Sequence, residues 1–346
     1  MLIATPNLCV DRTSRVPTVV PGGVLRASSV EVTAGGKGVN VARVARAHGH
    51  RATLVALAAN LDRDRLLGLL ADEGAEVVAV DSPGYARVGT IMVEESGRAT
   101  VLNEPGTELD EPTWARYLDA VAERLDGARL LVCAGSLPPG APVDGYTELI
   151  RLAGASGVAT ILDTAPAPLR AALAARPELV TPNLEEAEAA LHGGSGALLV
   201  GTDGGTDHAG ASVAARAGEA ARALCALGAR RAAVTAGAAG VAFSDGVRTD
   251  WVRTVSTRVV SAVGAGDSFV GGLALGLLEA GGDARAPGEL GYEAWLDAVI
   301  RGAATATASC ERLLAGGVDP ARAAELLAEL RALAMRHRDA GDRRAG

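Results

Sequence analysis

The sequence predicts an α/β protein whose mostly parallel sheet is covered by helices on both faces. Three observations carry this. Short apolar runs alternate with helical patterns along most of the chain, as expected of strands joined by helical crossovers. Nearly half of the residues are hydrophobic (49%), enough for a sizeable core. The 346 residues fit one large α/β domain carrying a small extra element. Aromatic residues are only 3% of the chain, so the core is expected to rest on Leu, Val and Ala packed between layers.

In chain order, the apolar runs at 2–5, 53–58, 130–133, 160–162, 179–181 and 232–235 read as buried strands. Helical periodicity marks 38–48, 63–73, 112–125, 143–155, 185–191 and 213–227 between them. After residue 267 the chain turns helical, at 268–279, 293–309 and 320–335. Two stretches break the alternation. Residues 16–33 are rich in Val, Pro and Ser, and 87–102 read as two strands about the turn Glu95-Ser96-Gly97. Neither is long enough for a domain, and together they are expected to form a small β-sheet lid. The predicted division is a core of 1–12, 34–86 and 103–337, a lid of 13–33 and 87–102, and a frayed tail at 338–346. A short hairpin is expected at 241–252 about Asp245-Gly246, and the Gly-rich 193–210 reads as a mobile surface loop.

The net charge of −8, with no basic stripe, argues against a nucleic-acid partner. A local cluster of Lys, Arg and backbone N–H groups can still bind an anion. Cys9, Cys133, Cys225 and Cys310 stand far apart, without CxxC or CxxH spacing, and are expected to be buried free thiols. The opening MLIATPNLCVDR lacks the basic and then apolar run of a signal peptide. Apolar stretches reach about 8 residues, short of the roughly 18 that cross a membrane. The expected compartment is the cytoplasm, with no membrane partner.

The strongest chemical signal is Val263-Gly264-Ala265-Gly266-Asp267-Ser268, which opens an apolar helix. The first N–H groups of a helix lack intrahelical partners and attract anions. Gly264 and Gly266 let the backbone approach a phosphate without an intervening Cβ. Together with Ala265 they form a candidate anion hole, and Asp267 is placed to take a proton from an attacking hydroxyl. The same hexapeptide also reads as an ordinary N-capping Asp after a glycine turn.

A second cluster, Thr33-Ala34-Gly35-Gly36-Lys37-Gly38-Val39-Asn40, leads into another helix. Its spacing is not that of a Walker A loop, and no GxGxxG fingerprint occurs in the chain. Lys37 and Asn40 can face a polyhydroxy or phosphorylated ligand, or the segment is a turn with a solvated Lys. Asp163, Asn183 and Thr235 each fall near the carboxyl end of a predicted strand, the edge where open parallel sheets bind ligands. Asn183-Leu184-Glu185-Glu186 offers oxygen ligands suited to Mg²⁺, and reads equally as an N-cap with a capping-box Glu. Thr235-Ala236-Gly237-Ala238-Ala239-Gly240 supplies a hydroxyl and a glycine turn for nucleotide phosphates. Asp11 lies where the first strand leaves for the lid, as a grip for sugar hydroxyls or as a turn residue.

Together these residues resemble the ribokinase/PfkB family of carbohydrate kinases, closest to its 1-phosphofructokinase and tagatose-6-phosphate kinase branch. Gly35–Asn40 matches that family's GGKGxN signature and Gly264–Asp267 its GAGD signature. Gly135-Ser136-Leu137-Pro138 matches the GSLP turn, and Asn183–Glu186 the NxxE segment linked to magnesium. The resemblance spans about 2–335. It implies a ribokinase-like three-layer α/β/α fold with a small β lid, ATP and Mg²⁺ as cofactors, and often a homodimer through the lid. It implies Asp267 as catalytic base, with Gly264, Ala265 and Gly266 as anion hole. ATP is expected at Asn183, Thr235, Gly237, Ala238, Gly240, Gly264 and Gly266, and Mg²⁺ near Asn183 and Glu186, largely through water.

Under the same resemblance the sugar is held by Asp11, Gly36 and Asn40, with Ser136 of the GSLP turn beside it. Arg26, Lys37 and Arg87 are the expected phosphate-binding trio. Arginine suits phosphate through its planar fork of donors, so the expected reaction is fructose 1-phosphate to fructose 1,6-bisphosphate. Fructose 6-phosphate, tagatose 6-phosphate, an unphosphorylated sugar or a nucleoside stand as alternatives, as does a binding protein without catalysis. Gly89, where the branch carries Asn, leaves the sugar's identity open.

Overall fold

A computed structural model describes residues 1–193, 212–282 and 286–345, with side chains described as far as Met335. Nearly all of the Gly-rich 193–210 lies outside the described residues. In chain order the elements are β1 (Leu2–Thr5), β2 (Cys9–Val16), β3 (Ser29–Gly35), α1 (Lys37–Ala47), β4 (Thr53–Ala59), α2 (Arg63–Asp72) and β5 (Glu76–Ser82). There follow β6 (Arg87–Glu94), β7 (Ala99–Asn103), α3 (Glu111–Ala122), β8 (Leu130–Ala134), α4 (Gly145–Ala155), β9 (Ala159–Asp163), α5 (Pro166–Ala172) and β10 (Leu179–Val180). The chain then runs through α6 (Leu184–His192), α7 (Val213–Ala226), β11 (Ala232–Thr235), β12 (Val241–Ser244), β13 (Thr249–Val252), α8 (Ala265–Gly281), α9 (Tyr292–Ser309) and α10 (Pro320–Ala345).

Nine strands form the large sheet, in the order β13-β12-β11-β10-β9-β8-β1-β4-β5. All neighbours are parallel except the β11/β12 and β12/β13 pairs, which form the expected hairpin and its return. Alternate residues of each strand face opposite layers. Ile3, Leu130, Val132 and Ala134 pack with α1, α8, α9 and α10 on one face. Leu2, Ala4, Leu131 and Cys133 pack with α3 to α7 on the other. This is the three-layer α/β/α, ribokinase-like architecture that the sequence predicted.

The core rests mainly on Leu, Val and Ala, as expected, and the few aromatics Trp295, Tyr117, Tyr146, Phe243 and Phe269 are its largest fully buried side chains. Two satisfy their hydroxyls internally, Tyr117 donating to the Val55 carbonyl at 3.2 Å and Tyr146 to that of Gly135 at 2.9 Å. All four cysteines are free, but only Cys9 and Cys133 are fully buried; Cys225 and Cys310 are half-buried.

Four strands form a second sheet, β3-β2-β6-β7. It begins at Cys9, four residues before the expected boundary at 13, because β2 is one continuous eight-residue strand. Residues 17–28, in the stretch expected to join the lid, are irregular, and β3 follows them. Two elements escaped the sequence reading. The edge strand β5 has half-buried Val77, Val78 and Val80. Helix α5 was hidden by Pro166 and Pro168, yet proline is tolerated in a first turn. α10 continues to Ala345, through most of the segment expected to be frayed.

Helices α8 and α9 approach through small residues. A Cβ at Gly302 would lie 2.8 Å from the Phe269 ring and backbone oxygen. Replacing a helical Gly by Ala gains about 1 kcal/mol in propensity, but overpacking a filled core costs roughly 1–3 kcal/mol. We expect Gly302→Ala to lower the urea midpoint of unfolding, with a net loss of stability of up to about 2 kcal/mol. A raised midpoint would mean that the two helices can separate without loss.

Candidate active site

The carboxyl ends of β1, β8, β9, β10 and β11 line one edge of the large sheet, and the loops leaving them carry most of the residues singled out above. Helices α1 and α8 lie side by side and bring their amino-terminal turns together over this edge. Their close approach needs Gly271, where a Cβ would meet Val44 at 2.8 Å.

Asp267, in the first turn of α8, is 6% exposed. Asn40 Nδ2 donates to its Oδ2 at 2.6 Å. Burial pushes the Asp267 carboxyl up to about 7; the Lys37 ammonium and the Asn40 amide oppose this, while the charges of Asp163 and Asp11 add to it. Gly264 caps the helix in the left-handed region (φ +78), and a Cβ there would sit 2.8 Å from that of Ala315. At Gly266 a Cβ would meet no protein atom within 4 Å. Internal packing therefore leaves that side of the turn open. The Ala265 N–H turns back to the Ala262 carbonyl at 3.2 Å, so the amides of Gly266 and Asp267 are those that helix geometry leaves for an anion.

Lys37, first residue of α1, reaches away from the small sheet. Its Nζ lies 3.0 Å from Asp163 Oδ1 and 3.8 Å from Glu186 Oε1. Burial alone would lower its pKa, but the charges of Asp163, Glu186 and Asp267 outweigh that and hold it protonated. The residue expected among the sugar-phosphate ligands thus lies, within this chain, among carboxylates. Asn183 and Glu186 form a full capping box: Asn183 Oδ1 accepts from Glu186 N at 2.8 Å, and Glu186 Oε2 from Asn183 N at 3.0 Å. That leaves Glu186 Oε1 facing Lys37. Asn183 also bridges to Thr235 in parallel. The turn after Thr235 has Gly237 at φ +54 and Gly240 at φ +142, with Ala238 between them accepting from Thr254 Oγ1. A Cβ at Gly240 would lie 2.7 Å from Trp251, so this glycine answers to packing.

On the other side, the small sheet presents Asp11, which is 8% exposed. Gly89 of β6 is its partner across the ladder and Gly35 of β3 sits diagonally from it, opposite Cys9, and a Cβ at either would collide with its carboxylate. Cys9 Sγ donates to Asp11 Oδ1 at 3.1 Å. Burial raises the Asp11 pKa, while Cys9, Arg43 and Arg87 lower it. Gly36, at φ +114, joins β3 to α1. Asn7 Nδ2 donates to Ser136 Oγ at 3.1 Å, and the Arg87 guanidinium donates to the Asn7 carbonyl at 3.0 Å. Arg87 and Ser136 therefore meet through Asn7.

Arg26 stands apart. It is exposed, in the irregular segment beyond the Arg15–Ser29 end of the β2/β3 ribbon, an end about 13 Å along the strand from Asp11. Arg43 and Glu73 escaped the sequence reading as site residues. The available signal was an arginine inside the otherwise apolar face of VNVARVARA.

The pfkB family carbohydrate kinase pattern matches residues 4–322, and the chain belongs to that family. It is a phosphotransferase that uses ATP and an alcohol acceptor. It is 32% identical over 283 residues to a 1-phosphofructokinase of Xanthomonas campestris, covering 80% of this chain and 84% of the relative. It is 33% identical over 280 residues to the ATP-dependent 6-phosphofructokinase isozyme 2 of Escherichia coli, covering 80% and 85%. The crystal structure of Escherichia coli phosphofructokinase-2 with potassium superposes at a TM-score of 0.79, with 28% identity, over 96% of this chain and 99% of that one. No helix of the described residues is long and apolar enough to cross a membrane.

The raised carboxyl of Asp267 links stability to pH. Between about 4 and 7 the folded state keeps a proton that the unfolded chain, with a carboxyl near 3.8, has released. Stability therefore falls as pH rises through that window. Asp267→Asn removes the effect, so its Tm is expected to exceed that of the parent at pH 8, with the gap closing towards pH 4. Thermal unfolding measured across pH checks this. A gap independent of pH would mean that the carboxyl ionises as freely folded as unfolded.

Proposed function

We propose that the chain is a 1-phosphofructokinase, transferring the γ-phosphate of ATP to the 6-hydroxyl of fructose 1-phosphate to give fructose 1,6-bisphosphate. The observation that carries the phosphotransfer is Asp267 at the open start of α8, held at 2.6 Å by Asn40. A carboxyl that titrates near neutrality suits a general base. In this reading the sugar lies between the small sheet, acting as a lid, and the start of α1. Asp11, Gly36 and Asn40 bind its hydroxyls, and Arg87 with Ser136 receives its phosphate. ATP lies along Asn183 and the turn at Thr235, Gly237, Ala238 and Gly240. The amides of Gly266 and Asp267, on the glycine-opened turn begun by Gly264 and Ala265, stabilise the negative charge of the transferring phosphoryl. Asp267 takes the proton of the attacking hydroxyl.

Three carboxylates, Asp163, Glu186 and Asp267, surround the single ammonium of Lys37. Such a site receives a polyphosphate only together with further positive charge. No group of three His, Cys, Asp or Glu among the described residues can cage a metal, which suits a Mg²⁺ that keeps its waters and rides on phosphate. When bound, Mg²⁺ supplies charge neutralisation to the phosphates, with Glu186 and Asn183 facing its waters. Lys37 balances charge here, and Arg87 carries the recognition of the sugar phosphate.

We further propose that the protein acts in the cytoplasm as a homodimer paired through its small sheet. The sheet's edge strands carry the exposed Val30, Val32, Val101 and Leu102, an apolar edge that a second copy would cover. Arg26 would then bind sugar phosphate only across the pair. Light scattering checks the assembly, and a monomer at micromolar concentration would remove it.

Fructose 6-phosphate is the second reading, favoured by the 6-phosphofructokinase relative. A coupled ADP assay with both phosphates, tagatose 6-phosphate and free fructose decides between them. We expect kcat/KM to be highest for fructose 1-phosphate, and a preference for an unphosphorylated sugar would overturn the assignment. Asp267→Asn is expected to lower kcat by about 10²–10⁴-fold with little change in KM. Arg87→Ala loses charged hydrogen bonds of roughly 1.5–3 kcal/mol, so KM for the sugar phosphate should rise about 10- to 100-fold while KM for ATP stays within about twofold. Equal rises would remove Arg87 from the phosphate.

A further inference from the structure

We propose that Arg43 is a positioning residue of the phosphotransfer: it dictates which end of the Asn40 amide meets Asp267, and it ties together the three segments that build the site. This rests on the reading of Asp267 as the base.

Arg43 follows Asn40 by three residues on α1 and is 5% exposed. One face of its guanidinium is neutralised by Glu73, at the end of α2, through Nε and Nη2 at 2.5 and 2.7 Å. The other donors have three recipients. Nη1 reaches Asn40 Oδ1 at 2.7 Å and the Ala315 carbonyl at 2.9 Å, and Nη2 reaches the Ala34 carbonyl.

A guanidinium has donors and no acceptor. Asn40 must therefore turn its oxygen to Arg43 and its NH₂ to Asp267. Without Arg43 the amide can rotate and offer that oxygen to the carboxylate, turning an attraction into a repulsion. The two carbonyls matter as well. Ala34 precedes the Gly35-Gly36 turn that borders the sugar side. Ala315 packs on Gly264, and a Cβ at the adjacent Gly316 would lie 2.6 Å from the Asn40 carbonyl oxygen. One buried cation thus fixes the sugar-side turn, the start of α1 and the loop supporting the start of α8. With Glu73 as its counter-ion, Arg43 has no need of a ligand.

The charged groups that act on Asp267 are Lys37 of α1, Asp163 at the end of β9 and Asp11 of β2, and Asn40 is its hydrogen-bond donor. Arg43 bears on Asp267 through Asn40, and its charge also lowers the pKa of Asp11. Arg43→Lys keeps that charge while removing the fork, so loss of the Asn40 orientation in that variant should raise the pH at which Asp267 ionises.

The test uses the full chain in two forms. Arg43→Lys keeps a charge for Glu73 but loses the fork. Arg43→Met combined with Glu73→Leu removes both buried charges together, so neither is stranded. Thermal unfolding, kcat and both KM values are measured across pH, beside Asp267→Asn. We expect folded variants whose acid limb of kcat moves up by about one pH unit. That lowers kcat near pH 7 roughly fivefold, with recovery at alkaline pH and an unchanged KM for ATP. A folded variant that keeps the parental limb, or that loses activity equally at every pH, overturns the proposal. Failure of both variants to fold also overturns it, making Arg43 a structural residue only. An Asp267→Asn form with full turnover would instead remove the base itself. An inactive Asp267→Asn form beside a parental limb in the Arg43 variants would remove only this inference.

Discussion

The hydrogen bond from Asn40 to Asp267 joins side chains 227 positions apart in sequence at 2.6 Å. Everything around it serves to bring two helix starts to one point. The large sheet supplies a common edge, and α1 and α8 lie on one face of it. They can approach because Gly271 leaves room for Val44. In a dry setting such a bond is stronger than in water, and leaving either partner unmatched is correspondingly costly. The carboxyl is consequently caught between opposing influences. Burial disfavours its charge, Lys37 and Asn40 favour it, and Asp163 and Asp11 oppose it. A group held in such a balance responds to small changes in its neighbours.

The two sides of the site are built on different principles. Around Lys37, charge is arranged through side chains: one lysine among acids, and a capping box that fixes Glu186 so that one oxygen faces the lysine. On the sheet side, shape is set by what is missing. Asp11 occupies a slot that exists because its partner across the ladder, Gly89, and its diagonal neighbour, Gly35, lack side chains. The absence of an amide at Gly89, a departure from the related branch, is thus also what allows Asp11 its present position.

Much of this could be read from the residues. Fully apolar runs gave the parallel strands, and the two glycine clusters marked both helix starts, because a phosphate-facing turn leaves a local trace. What stayed hidden was non-local. Arg43 looks like one more basic residue until its three-dimensional partners, Ala34, Ala315 and Glu73, are known. Lys37 was assigned to the sugar side from its neighbours in sequence, but a flexible four-carbon stem goes where the carboxylates are, and those come from β9 and α6. The displacement of Arg26 has a similar cause. Register along β2 and β3, which no local pattern records, carries it to the far end of the ribbon. The edge strand β5 and the proline-bearing α5 were obscured for a simpler reason, since tertiary contacts there override weak local signals.

Gly36 has a mechanical consequence. It is the single residue between the last position of β3 and the first of α1, and its backbone sits at φ +114. Any tilt of the small sheet about this joint is delivered, with no slack, to the helix turn bearing Lys37 and Asn40. Strand and helix are therefore two arms meeting at one joint, and the placement of the turn that bears Lys37 and Asn40 is tied to that of the small sheet through a single residue.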